Sequence, residues 1–82
     1  MENTSNAQKF QYMMLNRLQS DCKYFLGWGR GSERVLHYGN VIEHIKQMKA
    51  LYNELIIKPE WITLDEINEY ERRMLIQDLD VL

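Results

Sequence analysis

The chain is poor in the residues that staple, kink or anchor a protein. Cys22 is its only cysteine, so no disulfide can form within it, which fits a reducing compartment. Pro59 is its only proline, so long helices can run without a break elsewhere. All four glycines fall between Gly27 and Gly39, which confines glycine-dependent turns to one stretch. The longest apolar run, Tyr12 to Leu15, is far too short to cross a membrane. Met1 to Asn6 is polar and lacks the basic-then-apolar layout of a signal peptide, so the reading is cytoplasmic, with no membrane partner.

Chemistry is equally scarce. His37 and His44 stand apart from Cys22 in no zinc-like spacing, so no metal site is expected. Gly27-x-Gly29-x-Gly31 resembles a phosphate loop but follows a helical pattern rather than a strand, and no Gly-Lys-Ser/Thr follows it. Nothing marks a catalytic triad, and Cys22 sits on an apolar helix face, where it reads as buried and inert. No enzyme, catalytic residue or cofactor is expected.

A net charge of −2 gives no global pull toward nucleic acid or anionic lipid. The charge is uneven, however: residues 1–40 carry five bases and three acids, and residues 41–82 carry five bases and nine acids. Between Glu60 and Glu71 there are five acids and no base, either a solvated helix face or a docking face for a basic partner. With 45% apolar residues in 82, the chain is one small folded domain of modest stability.

What is present is helical periodicity. Residues 1–6 read as a flexible N-terminus, 7–75 as one helical domain and 76–82 as a partly ordered tail. The first helix is expected over Ala7–Leu26, with Ser5 and Gln8 as a capping box. Its apolar arc holds Phe10, Met14, Leu15, Leu18, Cys22, Phe25 and Leu26, leaving Tyr12, Met13 and Tyr24 outside. Gly27 suits a left-handed stop. The second helix is expected over Val41–Ile57, capped by Asn40 and Glu43, with Ile42, Ile45, Met48, Tyr52, Leu55 and Ile56 inward. The third starts after Thr63, whose capping box is completed by Glu66, with Ile62 and Ile67 as a hydrophobic staple. The pattern fades after Leu75. No stretch alternates as a strand would, so the fold is read as all-α: a compact three-helix bundle with a long glycine-rich connection between helices 1 and 2.

Several residues stand out. Asp21 projects inside the apolar arc, where a carboxylate needs a partner. It is expected to pair with Lys49 or His44 across the helices, or else to reach water at the rim. Trp28 either folds back over the core or joins Arg30 and Arg34 in contacting nucleic acid. Trp61 is expected to anchor the second turn onto the core, and Met13, Met14, Met48 and Met74 to fill it. Trp28, Tyr38, Ile56 and Ile57 are the candidate interface residues.

Two strings go beyond generic helix chemistry: Tyr12-Met13-Met14-Leu15-Asn16-Arg17-Leu18-Gln19-Ser20-Asp21-Cys22-Lys23-Tyr24-Phe25-Leu26-Gly27-Trp28-Gly29, and Lys58-Pro59-Glu60-Trp61-Ile62-Thr63-Leu64-Asp65-Glu66-Ile67. With Leu36, Gly39-Asn40 and Ile45 to Tyr52 between them, the chain resembles the eleventh of the large polyvalent protein-associated domains over about Phe10 to Met74. The resemblance implies a small helical module of bacterial and phage mobile elements, often found inside large proteins thought to travel with the element's DNA. It implies no catalytic role and supplies no functional residues. Two places depart from the pattern: Leu36-His37-Tyr38-Gly39 stands where Leu-Trp often precedes the glycine, and Leu55-Ile56-Ile57 stands before Lys58-Pro59 where the turn is more often acidic. The second departure puts two extra apolar side chains near a turn, a candidate self-association patch. The expected function is a protein-interaction module with an unknown protein partner or a second copy as a homodimer. Nucleic-acid binding through Arg30 and Arg34, with help from Arg17 and Lys23, is the alternative.

Overall fold

The computed structural model describes the backbone of residues 2–80 and the side chains of residues 8–77. Helix α1 spans Glu2–Leu26, α2 Val41–Glu54 and α3 Leu64–Asp80, with a short 3-10 turn at Glu33–Val35. No strand occurs among the described residues, and the fold is the expected all-α three-helix bundle.

The core follows helical spacing. Leu15, Leu18, Cys22 and Phe25 of α1 are fully buried, each three or four residues from the next, which puts them on one face. They meet Ile45 and Met48 of α2 and Ile67 and Met74 of α3. Each such apolar side chain contributes about 1.5–3 kcal/mol on burial. Leu36, Leu55 and Ile62 plug the core from the two connections.

Both helix starts read from the sequence are built as expected. Asn40 Oδ1 accepts the Glu43 amide at 2.8 Å. Thr63 Oγ1 accepts the Glu66 amide at 3.1 Å, and Glu66 Oε1 accepts the Thr63 amide at 3.2 Å. Each satisfies amides that a helix leaves without partners in its first turn.

Other boundaries move. Helix α1 begins at Glu2 rather than Ala7, which places Ser5 and Gln8 inside it. The side chains of the expected flexible N-terminus, and those of the tail from residue 78 on, lie outside the described residues. Helix α2 stops at Glu54, short of Ile57, because Leu55 is extended (φ −70°, ψ 127°) and its amide turns back to Tyr52 O. Helix α3 passes Leu75 and continues to Asp80.

The inward face of α2 is also rotated from expectation. Val41, His44, Ile45 and Met48 are buried, while Ile42 is 59% exposed. A histidine inside the stripe displaced an isoleucine from it. Phe10 is likewise outside the core, at 66% exposure. It lies at the edge of the apolar arc, and Gln11 already bonds Glu54, the last residue of α2, at 3.1 Å. The earlier turns of α1 therefore run past the end of α2.

Candidate interaction surfaces

Gly27 does not stop α1 in a left-handed conformation; its amide still makes the helical bond to Lys23 O, at 3.0 Å. The chain then widens. Gly29 N reaches Tyr24 O at 2.6 Å and Gly31 N reaches Phe25 O at 2.9 Å, and positive φ falls on Arg30 (51°) and Gly31 (79°). Gly29 is needed for proximity, since a Cβ there would sit 2.9 Å from Tyr24 O. Asp21 Oδ2 accepts the His37 amide at 3.1 Å, and Glu33 Oε2 accepts the Val41 amide at 2.8 Å. Two carboxylates thus pin the connection where it leads into α2.

This corrects the expected ion pair. Asp21 does not meet Lys49. Lys49 Nζ bonds Glu71 Oε1 at 3.1 Å, joining α2 to α3 with both side chains about one-third exposed. Asp21 finds a backbone amide instead, which serves a rim carboxylate without burying a second charge.

His44 is the buried polar residue of α2. It is fully buried, and its Nε2 lies 2.9 Å from Leu18 O. A carbonyl can only accept, so Nε2 carries the proton. Nδ1 has no partner. Burial lowers the imidazole pKa below its ordinary value; the Leu18 carbonyl and Asp21 oppose that shift and His37 adds to it. Tyr38 covers this joint, its ring edge-on to His37 at 4.8 Å and to His44 at 6.1 Å between centroids. Tyr38 is therefore half-buried structural material more than free interface. Cys22 is buried, its Sγ 3.5 Å from Met48 Sδ, and its thiol is pushed up to about 12 by burial and then by Asp21, which disfavours the thiolate.

Trp28 is 85% exposed and forms no lid over the core. Arg30 and Arg34 are exposed too, and neither makes an ion pair among the described residues. Beside this connection, α1 and α3 leave two shallow hollows of about 220 and 350 Å³, sharing Leu26 and Arg73. Lys23, Gly27, Tyr70, Ile76 and Gln77 complete their walls, which hold no histidine, cysteine or carboxylate for acid–base work. No group of three metal-ligating side chains occurs among the described residues.

The turn from Leu55 to Thr63 presents the other candidates. Ile56 and Ile57 are 75% and 70% exposed. Lys58 fixes the turn beneath them: its Nζ donates to the carbonyls of Tyr52 (2.7 Å), Asn53 (3.1 Å) and Leu55 (2.7 Å). The same ammonium lies 5.1 Å from the centroid of the Tyr52 ring. The Tyr12 hydroxyl donates to Ile57 O from α1. Trp61, expected in the core, is 42% exposed; its carbonyl accepts from Gln19 Nε2 at 3.5 Å, and Ile62 takes the buried place. Buried Gln19 also bonds the Tyr70 hydroxyl at 3.3 Å, a link no apolar pattern could announce.

No helix among the described residues is long and apolar enough to cross a membrane. What the fold defines is a small helical domain whose distinctive chemistry lies on its surface. A family model for large polyvalent protein-associated domain 11 matches residues 8–74, and the chain belongs to that family. No curated protein and no solved structure matches it.

Proposed function

We propose that this domain is a non-catalytic protein-interaction module carried by a bacterial or phage mobile element. The observation behind this reading is the Ile56–Ile57 pair, two large apolar side chains held outward on a turn that Lys58 immobilises. Exposed apolar surface on a pre-ordered turn loses little entropy on docking, which favours association. Affinity capture of the tagged chain from its host, with and without nuclease, tests the reading. A stoichiometric protein should survive nuclease and disappear with Ile56→Ser/Ile57→Ser; a partner indifferent to that double variant counts against it.

A second reading rests on Trp28, Arg30 and Arg34, an exposed ring and two exposed guanidiniums of one connection, neither of which makes an ion pair among the described residues. That arrangement suits a stacked base and its phosphates. Binding of this kind weakens steeply with salt, whereas apolar docking does not.

A further inference from the structure

Helix α1 carries a second row of side chains, turned away from the core. At about 100° per residue, Phe10, Met13, Arg17 and Tyr24 fall within an arc of about 60°, roughly opposite the buried Leu15, Leu18 and Cys22. Phe10 is 66%, Met13 68% and Tyr24 50% exposed. Trp28 ends the row just past the last turn, where Gly27 still follows the helical path. Phe10, Arg17 and Tyr24 are spaced one heptad apart, with Met13 and Ser20 between them, the spacing of a helix-pairing seam. Phenylalanine, methionine, arginine, tyrosine and tryptophan are the side chains that concentrate at the centres of protein interfaces.

We infer that this row is a homodimer seam, in which two copies meet through antiparallel α1 helices about a twofold axis level with residue 19. The inference rests on the protein-interaction reading and names both surface and partner. Charge selects the occupant. Arg17 and Asp21 are the charges along the seam, four residues apart, and they are not bonded to each other. Asp21 spends one carboxylate oxygen on the His37 amide, which leaves the other open. With the axis at residue 19, Arg17 of each copy faces Asp21 of the other, Phe10 faces Trp28, and Tyr24 faces the Met13–Met14 turn. Ser20, small and exposed, sits at the crossing, where backbones must approach. A parallel pair would set Arg17 against Arg17, and an acidic helix would satisfy Arg17 but repel Asp21. The seam is about 27 Å long. A single helix pair of that length lies at the small end of specific interfaces and gives a weak dimer, roughly micromolar.

Sedimentation equilibrium of the full chain across concentration should fit a monomer–dimer exchange. Arg17→Asp should weaken it about tenfold or more, and Arg17→Asp with Asp21→Arg should restore it, since the swapped charges again complement one another. Circular dichroism checks that the double variant keeps its helices without the His37 contact. Should that variant unfold, cross-linking decides. Ser20→Cys should oxidise readily to a linked dimer. Met13→Cys should not, because antiparallel helices hold the two sites about 18 Å apart; buried Cys22 stays silent in both. A chain that is monomeric at millimolar concentration, a dimer indifferent to Arg17→Asp, or efficient linking through Met13→Cys overturns the seam. If the chain is monomeric yet captures a protein that Ile56→Ser/Ile57→Ser releases, the seam fails and the interaction reading stands.

Discussion

The two connections of the bundle solve the same problem in opposite ways. Residues 27–40 are pinned at many points: Gly29 and Gly31 amides onto α1, Asp21 onto the His37 amide, Glu33 onto the Val41 amide, and Leu36 into the core. Residues 55–63 rest on buried Leu55 and Ile62, on the Tyr12 and Gln19 side chains that bond the Ile57 and Trp61 carbonyls, and on one flexible cation, Lys58, gathering three carbonyls. The first spreads its restraint over backbone geometry that tolerates little change. The second hangs it on side chains, chiefly one exposed lysine, leaving Ile56 and Ile57 outward. Fixed backbone suits a structural joint, while a side-chain clamp can hold whatever residues face solvent, so the shorter turn is freer to vary as a binding surface.

Gly29→Ala should show the contrast most strongly. Its Cβ would stand 2.9 Å from Tyr24 O and 3.1 Å from Phe25 Cα, both backbone, so α1 and the connection must separate. A loss of about 1–3 kcal/mol in urea unfolding is expected. If the variant matches the parent, the long connection is looser than its hydrogen bonds indicate.

The long connection also lies over a titratable group. Because burial lowers the folded-state pKa of His44, the unfolded chain binds more protons just below the ordinary imidazole value of about 6.5. Stability therefore rises with pH through that window: it is fully present above about 6.5 and declines as pH falls toward the depressed folded value. The diagnostic is a difference between two chains. The stability of the parent relative to His44→Gln should fall between about pH 7.5 and 5. A difference independent of pH would mean that His44 is hydrated.

Lys58→Met should cost less, about 1 kcal/mol, since the lost bonds belong to an exposed ammonium and water can take its place at the carbonyls. The readout specific to the clamp is local. Amide exchange at Ile56 and Ile57 should quicken while Ile45 and Met48 stay protected. Uniform acceleration would show that Lys58 supports the whole bundle and not this turn alone.

The same contrast explains what was legible in the sequence. The Thr63–Glu66 and Asn40–Glu43 caps could be read because donor and acceptor lie three residues apart. The all-α class followed from periodicity, with the inward face of α2 misjudged because His44 reads as polar until the Leu18 carbonyl is placed beside it. Asp21 was recognised as needing a partner, yet its partner is a backbone amide, which residue types do not encode. The end of α2 depends on a lysine reaching back over three to six residues, and no local pattern marks that. Of the candidate surfaces, Ile56, Ile57, Trp28, Arg30 and Arg34 are exposed, while Tyr38 is largely committed to packing. The outward row on α1 left a trace, since Met13 and Tyr24 fell outside the core arc; Phe10 was hidden by lying on its edge.

The smallest effect carries its own information. Arg30 holds φ 51°, a left-handed conformation that an L side chain adopts at a cost glycine avoids. Arg30→Gly should therefore leave stability unchanged or raise it by a few tenths of a kcal/mol, the relieved strain slightly exceeding the added freedom of the unfolded chain. Gly31, beside it at φ 79°, already shows what this turn prefers. If Arg30→Gly stabilises the fold, the arginine is kept at a conformational cost, which is the pattern of a side chain that meets something outside the domain. If the variant destabilises it, the guanidinium serves the turn itself, and the second functional reading loses one of its two cations.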